Sequence, residues 1–247
     1  MVSLDIPRDR LEYAGDAIDV VVLLAKHLPA DSLVMLAEVD TDPTARKHLG
    51  KHPDIQEFVP SALRMRDEYG VPFWMAVTLS ASKHGGELPD AIFTAASFHQ
   101  EVPSSSVETM NIGHLSRDLL LARGRALARG RMLMLLSQVL LADGFVLHLP
   151  MLDFRLPSSG NNLSTVRQML VQLDMSGVVL NSGRSYHFYG CTLLQAEELR
   201  VFLAKALFFT PLIDHRWIAH QLVEGRCALR IIRNGEKDST PTVETVV

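Results

Sequence analysis

Apolar positions along the chain follow two rhythms. Up to about residue 143 they recur every three or four residues, the helical period. This predicts helices in GDAIDVVVLLAKHL, with Asp16 as its cap, in DPTARKHLGKH, in PSALRMRDEYG and in PDAIFTAASFHQEV. VPFWMAVTLSAS reads equally as a short buried strand or a helix. SSSVETMNIGHL carries helix-start residues, and SRDLLLARGRALARGRMLMLLSQVLLADG predicts one long helix, weakened by Gly124 and Gly130.

After Gly144 the rhythm changes. FVLHLPMLDFRL is a strand pattern interrupted by Pro150, and NLSTVRQMLVQLD returns to helical spacing. SGVVLNSGRSYHFYG reads as two strands joined at Asn-Ser-Gly-Arg. TLLQAEELRVFLAKALFF is a helix that stops before Pro211, DHRWIAHQLVEG a helix closing on Gly225, and CALRIIRN the last strand. The expected fold class is α+β, with residues 1–143 a mainly helical region and 144–234 a split βαβ antiparallel sheet with helices on one face. Residues 235–247, GEKDSTPTVETVV, are expected to be a mobile polar tail.

Composition narrows the picture. At 247 residues and 47% hydrophobic content the chain can bury a sizeable core. A net charge of −4 gives no global basic field, so contact with a polyanion has to come from a local patch. Two cysteines, Cys191 and Cys227, make neither a disulfide framework nor a zinc site. The N-terminus lacks the apolar core of a signal peptide, and no run approaches the roughly 18 apolar residues of a membrane span. The expectation is a soluble, cytoplasmic protein with reduced thiols and no membrane partner.

Four residues in the second half carry candidate chemistry. Asp153 ends a strand, His187 lies within another, Asp214 precedes a helix and Arg230 sits on the last strand. Two carboxylates suit a hard divalent ion, and an imidazole and a guanidinium suit phosphoryl oxygens. Leu152-Asp153-Phe154-Arg155, Ser185-Tyr186-His187, Ile213-Asp214 and Leu229-Arg230 occur in an order that resembles the archaeo-eukaryotic primase, or primase-polymerase, superfamily. The resemblance covers about residues 144–234. It implies an RRM-like sheet, catalytic Asp153 and Asp214 holding Mg2+ or Mn2+, and His187, Ser185, Arg184 and Arg230 on the phosphates of a nucleoside triphosphate. DNA or RNA would be the further partner.

The first motif is altered. Arg155 stands where the family carries a second acidic ligand, a change of two charges. Each unit charge a few ångströms from an ion is worth roughly a few kcal/mol at an effective dielectric near 20. Arg155 then reads as a phosphate clamp in a former metal position.

Blander readings stand beside these. Asp214 equally reads as the N-cap of DHRWIAHQL, and Trp217 as core rather than a base-stacking platform. Arg117, Arg123, Arg125, Arg129 and Arg131 form either a solvated face or a strip for nucleic acid, with Arg123, Arg125 and Arg129 the binding candidates. Met132 and Met134 form an apolar stripe for the protein's own core or for a partner subunit. His99 and Glu101, two apart on a helix, do not face each other.

The leading function is a primase-polymerase-like protein binding nucleotides or nucleic acid, a degenerate DNA-directed nucleotidyltransferase of a prokaryotic nucleic-acid-processing or defence system. The alternative is a non-catalytic subunit that keeps the fold to assemble with a protein partner. A third is a metal-assisted nuclease or nucleotide-modifying enzyme.

Overall fold

The computed structural model describes residues 2–40, 53–83, 88–96, 102–234 and 240–247. The chain divides into two compact units: Met1–Thr41 with Val102–Val247, and Asp42–Glu101. The boundary expected near residue 143 therefore falls inside the first unit.

The smaller unit holds the helices Pro53–Gln56, Val59–Tyr69, Phe73–Ser82 and Asp90–Ala96. Ile55, Phe58, Ala62, Trp74, Val77 and Ile92 form its core. The ambiguous VPFWMAVTLSAS segment is thus helical. The predicted helix DPTARKHLGKH and the His99–Glu101 pair lie outside the described residues.

The larger unit mixes helices with antiparallel sheets, an α+β architecture. Its strands, in chain order, are β1 (Val2–Ser3), β2 (Leu33–Asp40), β3 (Val107–Asn111), β4 (Arg131–Leu140), β5 (Val146–His148), β6 (Met151–Asp153), β7 (Gly177–Asn181), β8 (Tyr186–Gly190), β9 (Thr192–Leu193), β10 (Ala228–Arg233) and β11 (Thr242–Val246). One sheet runs β10-β4-β2-β3, with β5 also pairing β4. A second runs β11-β7-β8-β6, and β1 pairs β9.

In the second sheet β6 and β7 flank β8, and both run antiparallel to it. They are therefore parallel to each other, and the helix Gly160–Gln172 connects them. This is a split βαβ unit. The last strand differs from expectation: β10 pairs β4 in the other sheet, and β11 takes the outer place beside β7. Residues 242–246, expected in a mobile tail, alternate Thr-Val-Glu-Thr-Val and complete that edge, while 235–239 lie outside the described residues.

The long helix expected over 116–144 is a helix, Arg117–Ala126, followed by the strand β4. Gly130, with φ +82°, makes the turn between them. MLMLLSQVL has apolar residues on both faces because both are covered, so it carries neither period. Gly124 has a different reason: a Cβ there would collide with Ile232 Cδ1, so glycine lets the helix lie against β10.

The main core joins Leu36, Leu133 and Leu135 of the first sheet to Leu152, Val179 and Phe188 of the second. On the other face of the first sheet Ala37, Leu136 and Ala228 are buried, with Met132 and Met134 beside them. Among the described residues no helix is long and apolar enough to cross a membrane.

Candidate functional site

Asp153 and His187 are direct cross-strand partners in the β6–β8 ladder. Residues so paired project from the same sheet face, so the register alone brings the carboxyl and imidazole together. Leu152 and Phe188, the next pair, point the opposite way into the core.

Arg230 arrives from the other sheet. Along β10 the register shifts between Arg230 and Ile232, so Arg230 opposes Met134 while Arg233 opposes Met132. In a regular strand residues three apart face opposite ways; the extra residue of the bulge puts both arginines on the face that carries both methionines. Asp153, His187, Trp217, Met132, Met134, Ala228, Leu229, Arg230 and Arg233 line one cavity of about 280 Å³.

The helix His215–Glu224 fixes Trp217 and the end of β10. Asp214 Oδ1 accepts from the backbone N–H groups of Arg216 and Trp217, both at 3.0 Å, so the capping role of Asp214 is present. Trp217 Nε1 donates to Ala228 O at 3.2 Å, and Gln221 Oε1 accepts from the Ala228 N–H at 2.8 Å. Trp217 thus packs on the core and also walls the cavity. Asp214 also donates its backbone N–H to Asp153 O at 3.0 Å, which places the two acids side by side.

The electrostatics of the corner are unbalanced. His187 Nε2 stands 3.8 Å from Asp153 Oδ1, too far for a hydrogen bond, and His187 Nδ1 is buried without a partner. Burial, with Arg230 adding, pushes the imidazole down to about 3, so it is neutral and the contact is not an ion pair. An orphaned lone pair is tolerated better than an orphaned N–H. This favours the tautomer with its proton on Nε2, the atom nearer Asp153. Burial and then the charge of Asp214 push the Asp153 carboxyl up to about 8 against the pull of Arg230. Burial and neighbouring Arg233 lower Arg230, whose Nη2 donates to Ser182 O at 2.6 Å.

That last bond ties the cavity to the 181–185 turn. Asn181 Oδ1 accepts from the Gly183 N–H, and the Ser182 N–H and hydroxyl both donate to Ser185 O. Ser185 Oγ lies 3.3 Å from Ser182 Oγ, closing the turn. Arg184 is exposed, and neither it nor Ser185 nor Arg155 lines the cavity. Arg155 is held by its backbone N–H to Leu212 O, next to the Phe154–Ile213 bridge.

The arginine run is largely occupied elsewhere. Arg117 grips both carboxylate oxygens of Asp16 at 2.9 Å and Asp19 at 2.6 Å; Arg123 pairs with Glu108, and Arg131 with Asp40 and Glu38 O. Arg125 and Arg129 are exposed.

The Mg2+ or Mn2+ implied for Asp153 and Asp214 would meet a corner where one carboxylate oxygen is already engaged and two arginines stand opposite. Such an ion takes about six oxygens, one or two from protein carboxylates and the rest from waters and phosphates. Among the described residues no group of three or more His, Cys, Asp or Glu side chains is placed to hold one.

Met132, Met134, Trp217 and Arg233 were not expected to share this cavity. The signal available was the Arg-Ile-Ile-Arg spacing, legible only once the bulge is known.

A family model described as AEP-like, archaeo-eukaryotic primase 1D-like, matches residues 111–243, more than half of the chain. No curated protein and no solved structure matches it.

Proposed function

The chain belongs to the AEP-like, archaeo-eukaryotic primase 1D-like family, and from that premise we propose that its cavity binds the phosphates of a nucleoside triphosphate or of a nucleic-acid end, with nucleotidyl transfer degenerate. The observation that carries this reading is the meeting of Asp153, His187 and Arg230 from two different sheets in one cavity. His187 offers an Nε2–H donor, Arg230 and Arg233 offer guanidinium forks, and Trp217 with the two methionines offers an apolar wall for a base. In this reading the split βαβ unit is an RRM-like core whose last strand has joined the neighbouring sheet. Arg123, Arg125 and Arg129 are the residues for a nucleic-acid backbone, with Arg123 giving up Glu108 to do so. Arg184, Ser185 and Arg155 act only on a ligand that extends past the cavity.

Calorimetry of the full chain with ATP and dATP, each with and without Mn2+, tests the reading. Binding that weakens at least about tenfold in His187→Ala is the expected result. Absence of binding under every condition would overturn it. It would leave the second reading, a non-catalytic subunit that keeps the fold for a protein partner. Arg155 in place of an acid and the capping role of Asp214 favour that second reading over an active transferase.

A further inference from the structure

We propose that the cavity takes its nucleotide as the metal-free polyanion, with protein cations standing where a divalent ion would otherwise neutralise the phosphates. The inference rests on the nucleotide-binding reading above and concerns how the charge of that ligand is met.

The argument starts from the bulge in β10. It turns Arg230 and Arg233 to one face, opposite Met134 and Met132, and both arginines line the cavity. Asp153 is the only acid among the cavity's lining residues. With Asp153 and the adjoining Asp214 both ionised, two guanidinium charges face two carboxylates at this corner. A divalent ion entering there gains no net attraction from these side chains, whereas a triphosphate meets two guanidinium donors on the cavity wall.

Donor geometry points the same way. A guanidinium presents a planar fork that matches two phosphate oxygens, so an arginine can take contacts that a bridging ion otherwise makes. Arg230 is pre-positioned by its bond to Ser182 O, while Arg233 is exposed at the rim. The protein oxygens open to a bridging ion are few: Asp153 and Asp214 are the carboxylates at the corner, Asp214 Oδ1 is engaged with the helix N-terminus, and no cluster of three donor side chains occurs among the described residues.

The test is calorimetric titration of ATP into the full chain at matched ionic strength, in EDTA and then in Mg2+ or Mn2+. The expected result is binding in EDTA at an affinity within about threefold of the metal-containing buffers or tighter, because the ion screens the triphosphate from the arginines. Arg233→Ala, at an exposed position that the fold tolerates, weakens binding in EDTA by about tenfold. Binding seen only with metal would overturn the inference while leaving the nucleotide reading in place. Unchanged affinity of Arg233→Ala in EDTA would overturn it as well, and no binding in any buffer would overturn both.

Discussion

Two polar clusters in the larger unit each set an arginine beside an aspartate and end differently. At Asp16, Asp19 and Arg117, every charge has a partner. Arg117 forks onto Asp16, whose Oδ1 also accepts the N–H groups of Ile18 and Asp19 at the start of the helix Ala17–His27. Burial alone would raise the Asp16 carboxyl, but Arg117 and the two N–H groups outweigh it and hold it below its ordinary value. At Asp153, His187 and Arg230 the carboxyl is pushed up, the imidazole down, and His187 Nδ1 has no partner. The first cluster stabilises the fold. The second is held in an unfavourable state by the fold around it, and a ligand that satisfied it would bind for that reason.

The largest effect expected from breaking this contrast is at the closed cluster. Asp16→Ala removes a helix cap and the partner of a partly exposed arginine, and should lower unfolding stability in urea by about 2 kcal/mol. Nucleotide affinity should stay within twofold of the parent.

The open corner makes the next prediction, on pH. Asp153 has a folded value of about 8 against an ordinary 3.8, so the native state binds the extra proton between these limits. Its contribution to stability therefore falls as pH rises through that window. His187, at about 3 against 6.5, acts in the opposite sense, since the unfolded state gains the proton below 6.5. The two oppose each other between about pH 4 and 6.5, leaving Asp153 alone above. Stability should drop by about 1 kcal/mol between pH 6.5 and 8, allowing for the 27% exposure of that side chain, and Asp153→Asn should abolish the drop. A drop that persists in the variant would assign it to another group.

Arg230→Ala should cost about 1.4 kcal/mol, or tenfold, in ATP affinity, whereas Arg117→Ala should change stability and leave affinity alone. Equal loss of affinity in both would erase the distinction between the clusters. The smallest effect is expected at Ser185→Ala. Its hydroxyl touches only Ser182 in the turn, so stability should move by less than about 0.5 kcal/mol and affinity by less than twofold. A larger fall in affinity would put Ser185 back among the ligand contacts.

The sequence was most legible where local chemistry and long-range order agree. The apolar-Asp, Ser-x-His and Leu-Arg segments lead to Asp153, His187 and Arg230, which share a cavity; Asp214, expected as a catalytic metal ligand with the N-cap as its alternative, does form the cap and does not line the cavity. Arg155 and Arg184 lay close in sequence to those residues, but neither lines the cavity. Sheet membership was not legible. β4 is covered on both faces, so its leucines mimic a helix, and its pairing with β10 removes that strand from the sheet where the motif order had placed it. The bulge that brings Arg233 to the face of the cavity leaves no mark on residue spacing, and the edge strand Thr242–Val246 was hidden by its polar setting.

The central claim is that the unsatisfied corner, rather than the satisfied one, receives the ligand. The most direct measurement is backbone amide NMR of the full chain during titration with ATP. The account predicts that signals from residues 152–154, 186–188 and 229–233 shift together and saturably, while those from 16–19 and 117 stay in place. Shifts centred on the Asp16–Arg117 cluster, or no shifts at the β6–β8–β10 corner, would contradict it.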